Sequence, residues 1–208
     1  MPPLTFFQQP QYLTLTWQTQ ARLCAFWTIL GLNQGTTRVL KFFVQRRRPN
    51  FYAYCGFDVA QKQCTASVSH IQDAQFSFPS GHSSLSMCAS TFLVGWWLSM
   101  LWASSRSNTK TSTPLSRWQL QAFFICLLPW AWALWVACTR VVDYWHHPSD
   151  IVAGLCLGFG SAMIGYHLWF PPLTASSNPS LPWALQLDSS SGEVVASVSQ
   201  SRASSFYE

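Results

Sequence analysis

Long apolar runs alternate with short polar segments along most of this chain. About twenty consecutive apolar residues carry a helix across the hydrocarbon core of a bilayer. Residues 83–103, 120–138 and 151–170 meet that length, and none of these runs has an acidic or basic residue in its middle. A weaker run covers 21–44. Its first half, LCAFWTILGL, is apolar, while its second half carries Asn33, Gln34, Thr36, Thr37, Arg38 and Lys41. Ionisable groups at membrane depth are costly, so they face a bundle interior and carry function. The pattern predicts an all-α polytopic membrane bundle with about four transmembrane helices. Trp96, Trp97, Trp102, Trp118, Trp145 and Trp169 fall near the ends of the runs, as in interfacial aromatic belts. Residues 1–20 read as an N-terminal segment, 21–170 as the membrane-embedded domain, and 171–208, rich in Ser and Pro, as a disordered tail. No basic region leads into an apolar core at the N-terminus, so no secretory signal is expected.

Four crossings place the loops 46–79 and 139–149 on one face, and the loop 103–117 with both termini on the other. Composition agrees with a membrane setting. Only 9% of the 208 residues are charged, against roughly 25% in soluble domains. The net charge of +5 suits an anionic partner or membrane surface. No basic stripe with interleaved aromatics points to nucleic acid. Five of the seven cysteines lie in apolar runs and read as small buried hydrophobes. Cys55 and Cys64 share a polar loop and form a candidate disulfide if that loop faces an oxidising lumen.

The chemistry concentrates in the two loops that share a face. Lys41 and Arg48 lie two helical turns apart at the end of the first run, followed by Pro49. Two long cations there can converge on a dianion, with Arg offering a fork that matches phosphate oxygens. Pro79-Ser80-Gly81-His82 directly precedes a membrane helix. Ser80 is a candidate N-cap, Gly81 allows close approach to the backbone, and helix starts bind anions. His82 can donate or accept a proton near neutral pH. Arg140, His146, His147 and Asp150 then fall within eleven residues. A carboxylate that orients a histidine makes it a competent nucleophile toward phosphorus. His70 reads as an ordinary loop residue and His167 as a core residue. Asp58 and Asp73 are isolated in their loop, too scattered for a magnesium site.

Taken together, Lys41-x6-Arg48-Pro49, Pro79-Ser80-Gly81-His82 and Arg140-x5-His146-x3-Asp150 resemble the three-part signature of the type-2 phosphatidic acid phosphatase superfamily. The surroundings FSFPSGHSS and TRVVDYWHHPSDIVAG are similar to its lipid phosphate phosphatase branch. The resemblance covers about 30–165. It implies a metal-free and cofactor-free displacement on a lipid phosphate. His146 is the nucleophile that becomes phosphohistidine, His82 the acid and base, and Asp150 the partner of His146. Lys41, Arg48, Ser80, Gly81 and Arg140 bind the phosphate. The implied site is lumenal or extracellular. Polyprenyl diphosphate and sugar-phosphate phosphatases of the same superfamily, and a non-catalytic membrane relative, are the alternatives. Thr139 stands where the family usually has Ser. The family typically has six membrane helices against the four seen here, and the other two would precede Ala21.

Overall fold

The computed structural model describes residues 11–107, 117–172 and 180–183. In chain order these form α1 (Gln11–Val44), a short cap segment, α4 (Gly81–Ser107), α5 (Arg117–Cys126), α6 (Leu128–Val142) and α7 (Pro148–Trp169). The cap segment contains α2 (Phe51–Tyr54), the antiparallel pair β1 (Phe57–Asp58) and β2 (Gln63–Cys64), and α3 (Val68–Asp73). The expected long polar loop is therefore a small folded unit. Cys55 and Cys64 are bonded within it, beside the buried side chains of Phe51 and Ala74.

Among the described residues, three stretches are long and apolar enough to cross a membrane: Gly81–Ala103, Leu120–Val142 and Pro148–Trp169. Two expectations change. The run predicted as one helix over 120–138 remains one candidate span but is interrupted at Leu127, between α5 and α6. Pro129 has no N–H for the preceding turn, and its carbonyl is taken by Ser90 Oγ of α4 at 2.7 Å. The fourth expected crossing is helical and begins at Gln11, but its polar positions keep it outside the apolar class. Two of those positions turn inward, Asn33 and Thr37, while Thr36 and Arg38 are exposed along with Leu32, Val39, Phe42 and Phe43.

The predicted tail also changes in part. Pro171 and Pro182 are fully buried. The Ser180 carbonyl accepts from Arg22 at 3.0 Å, and Trp183 Nε1 donates to the His167 carbonyl at 3.4 Å. His167, expected in the core, has an exposed side chain. The remaining predicted tail, 173–179 and 184–208, and residues 1–10 of the predicted N-terminal segment lie outside the described residues.

Helix α4 packs against α1, α6 and α7. Small residues bring backbones together in membrane bundles, and α7 presents Gly154 and Gly158 to α4. A Cβ at Gly154 would stand 2.6 Å from the Ser80 carbonyl oxygen, and one at Gly158 would collide with that of Ser84. On the α1 side, Ser84 Oγ donates to Asn33 Oδ1 at 2.8 Å and lies 3.1 Å from Thr37 Oγ1. Farther along, Ile29, Cys88, Phe92, Tyr166 and Phe170 form the apolar core. Outside it, Trp27, Trp132, Trp135, Ile164 and Leu168 are exposed, a surface that lipid covers and water would not.

The glycine face gives a direct test of this packing. Gly158→Val should lower the melting temperature in detergent by roughly 10 °C or more, because the obstacle is backbone and cannot rotate away. Gly160→Ala, where no atom lies within 4 Å of the added Cβ, should leave it unchanged.

Candidate active site

The two cation-bearing helix ends are built alike. In α1, Gln45 takes a left-handed backbone (φ 45°) and its N–H bonds the Lys41 carbonyl at 3.1 Å. In α6, Tyr144 is left-handed (φ 55°), and the Trp145 and Tyr144 N–H groups bond the carbonyls of Arg140 and Val141 at 3.2 and 3.0 Å. The second arrangement is a Schellman closure. Lys41 and Arg140 thus sit three residues before the cap of their helices, where cations also oppose the helix dipole. After Tyr144 the chain has two residues before His147, the extended N-cap of α7, with Pro148 next. The spacing from Arg140 to His146 to Asp150 is therefore the length of one helix closure joined to one helix start.

The cap segment completes the walls. The Arg48 N–H bonds the Ala74 carbonyl and the Ser77 N–H bonds the Arg46 carbonyl, both at 2.9 Å. Trp145 from the second loop packs under Arg48, 5.0 Å from guanidinium carbon to ring centre, and against Tyr54 at 5.2 Å between centroids. The two loops are thus brought together on one face.

Between them lies a cavity of about 310 Å³ whose lining includes Lys41, Arg48, Gly81, His82 and His146. An adjoining cavity of about 320 Å³ shares Arg48, His82 and His146 and adds Arg140. Ser80 lines neither. It is fully buried, its N–H donates to the Asp150 carbonyl at 3.0 Å, and its hydroxyl accepts from Ser83 Oγ at 3.0 Å. The residue thus ties two helix starts together. Gly81 keeps its place on the wall.

Lys41, Arg48 and Arg140 each have a resting partner. Arg48 Nη2 donates to both Asp73 carboxylate oxygens at 3.1 and 3.0 Å. Arg140 Nη2 donates to Asp143 Oδ2 at 3.1 Å. Lys41 Nζ donates to the Phe76 carbonyl at 2.6 Å. Asp73, read from sequence as isolated, in fact lines the cavity beside Arg48.

Asp150 is fully buried and accepts from Arg46 Nη1 (2.7 Å), Ser77 Oγ (2.5 Å) and the His147 N–H (3.0 Å). His146 is 3% exposed, and its Nδ1 lies 3.9 Å from Asp150 Oδ2 and 3.4 Å from Ser77 Oγ. His147 turns aside, its Nε2 3.2 Å from the Arg47 carbonyl. Neither Arg46 nor Ser77 is among the site residues read from the sequence. The available signal for Ser77 was a polar residue alternating with Phe76 and Phe78 ahead of Pro79. Burial pushes the pKa of His146 from its ordinary 6.5 to about 4, with Lys41 and Arg48 adding to the effect and the Ser77 backbone and Asp150 opposing it. The ring is therefore neutral near pH 7, with a free lone pair.

Cations and two imidazoles thus line two adjoining cavities at one end of the helix bundle. The chain matches the PAP2 superfamily over residues 22–172 and belongs to that superfamily as an integral membrane protein. It is 34% identical over 138 residues to phospholipid phosphatase 2 of Homo sapiens, covering 62% of this chain and 44% of that one. With the probable diacylglycerol pyrophosphate phosphatase 1 of Schizosaccharomyces pombe it shares 33% over 165 residues, covering 71% and 56%. The probable lipid phosphate phosphatase 4 of Arabidopsis thaliana is 32% identical over 144 residues, covering 65% and 44%. The chain spans about half the length of these curated relatives. No solved structure matches it.

The His146 shift has a consequence for stability. Between pH 6.5 and about 4 the unfolded chain binds the proton that the folded ring refuses, so stability rises with pH across that window. The penalty is absent above it and complete below it. His146→Gln, which cannot titrate, should flatten this part of the melting-temperature profile in detergent. An unchanged slope would show that His146 does not carry it.

Proposed function

We propose that this chain is a lipid phosphate phosphatase that hydrolyses phosphomonoesters such as phosphatidic acid through a phosphohistidine at His146. The observation that carries this reading is the convergence of Lys41, Arg48 and Arg140 with His82 and His146 on adjoining cavities. The names of the similar proteins, two of them phospholipid or lipid phosphate phosphatases, support it.

Nδ1 of His146 is engaged by Ser77, leaving Nε2 for the substrate. Nε2 attacks phosphorus and the P–O bond to the lipid alcohol breaks. His82, protonated, delivers its proton to the departing oxygen. Neutral again, His82 takes a proton from water as that water attacks the phosphohistidine and the P–N bond breaks. Inorganic phosphate leaves. Lys41, Arg48, Arg140 and the Gly81 N–H stabilise the equatorial oxygens as charge redistributes, with Ser80 acting through the helix start it caps. This donor set disfavours a divalent cation, because the lining is cationic and its carboxylate, Asp73, is paired with Arg48. That charge balance supports metal-independent chemistry.

Gln34, Thr37 and Leu85 extend the wall along α1 and α4, away from the cap. That direction leads into the bilayer and supports a substrate whose acyl chains remain in hydrocarbon while its phosphate reaches the interface. The disulfide in the cap segment fits a lumenal or extracellular active site, since such bonds persist in oxidising compartments. Residues 21–170 form the catalytic unit in this reading.

Two measurements test the mechanism. Phosphate release from phosphatidic acid in mixed micelles should be unaffected by EDTA; loss on chelation and return with magnesium would overturn it. Labelled phosphoenzyme should form in His147→Ala and be absent in His146→Ala, whose turnover should fall by about three or more orders of magnitude. The opposite pattern would assign the nucleophile to His147.

A further inference from the structure

Asp150 was expected to hold His146 directly, yet 3.9 Å separates its Oδ2 from Nδ1, beyond hydrogen-bond reach. Ser77 Oγ occupies the intervening space, 2.5 Å from Oδ2 and 3.4 Å from Nδ1. Ser77 and Asp150 are fully buried, so bulk water does not replace the hydroxyl. Arg46 on Oδ1 and the His147 N–H on Oδ2 hold the carboxylate where it is. From this geometry we infer that Ser77 is a positioning residue through which Asp150 acts on His146, an assignment that rests on the phosphohistidine reading above.

Counting protons fixes the direction of the relay. A serine hydroxyl has one proton, and an ionised carboxylate can only accept. The proton of Ser77 therefore points to Asp150, and the lone pairs of Oγ remain for the histidine. Nδ1 makes a favourable contact with them only when it carries hydrogen. Nε2 then holds the lone pair.

When Nε2 bonds phosphorus, the P–O electron pair leaves on the lipid oxygen and the proton for that oxygen comes from His82. The imidazole becomes cationic and its Nδ1–H a stronger donor. A hydroxyl already donating to a carboxylate is a better acceptor than a free one. Ser77 thus stabilises the phosphorylated ring more than the resting ring, and an interaction of that kind raises kcat rather than lowering KM. A residue that merely filled space would have no such preference.

The test uses the full chain in detergent, assayed with phosphatidic acid micelles and for the rate of phosphoenzyme formation. Ser77→Ala should lower kcat and the phosphorylation rate about ten- to a hundred-fold, with KM held within about three-fold. Ser77→Thr should restore most of the loss. Combining Ser77→Ala with Asp150→Asn should be no slower than Asp150→Asn alone, because both remove one linkage. A Ser77→Ala enzyme within about two-fold of wild type in kcat would overturn the assignment, as would losses that multiply in the double variant or a rise in KM equal to the fall in kcat. If Ser77→Ala does not purify, Ser77→Cys is read by the same criteria. Wild-type protein that forms no phosphoenzyme would refute the proposed function instead. The Ser77 link would still be read by NMR titration of labelled His146, whose pKa should fall further when Oγ is removed; an unchanged titration would overturn the link.

Discussion

A single carboxylate, taken wholly out of water, holds the functional end of this molecule together. An ionised group in a dry interior must be paired and fully hydrogen-bonded, and removing one partner typically costs about 3–5 kcal/mol. Asp150 meets that demand with a cation that follows α1, a hydroxyl from the segment before α4, and the N–H of His147, the N-cap of its own helix. Its backbone carbonyl adds a fourth tie, to the N–H of Ser80. Three segments remote in sequence meet at one residue. The position of His146 follows from that meeting.

The sequence made some of this legible and left the rest hidden, for a physical reason. Arg140, His146 and Asp150 could be read as a set because a helix closure and a helix start fix their spacing locally. Lys41 and His82 could be found because each sits at the membrane end of an apolar run. The partners of Asp150 could not: Ser77 lies 73 positions away and Arg46 lies 104, and nothing local announces such pairings. Ser80 was placed correctly at a helix start, but its N–H is consumed by a contact that only the fold creates. The break before α6 was hidden for another reason. Averaging over an apolar run conceals what one proline does to the backbone, even with Pro129 in plain view.

Charge at the bilayer boundary is managed by partnership. Arg46, Arg48 and Arg140 each face an aspartate, and Lys41 faces a carbonyl. Asp73 and Asp143 offset the charge of Arg48 and Arg140, while Lys41 and Arg38 leave the lining cationic overall. In the proposed mechanism an arriving phosphate adds its own acceptors to guanidinium groups that Asp73, Asp143 and Trp145 have already oriented. Less side-chain freedom then remains to be lost on binding.

The glycines of α7 carry one more consequence. Gly154 and Gly158 seat its backbone directly against that of α4, and lengthwise sliding of the two helices would break the bond from the Ser80 N–H to the Asp150 carbonyl. Hydrophobic mismatch is relieved by tilt more readily than by such sliding. A thinner or thicker bilayer would then lean the pair as one body, and the distance between the beginnings of α4 and α7 would stay the same. His82 and His146 lie at those two beginnings, so their separation is insulated from membrane thickness.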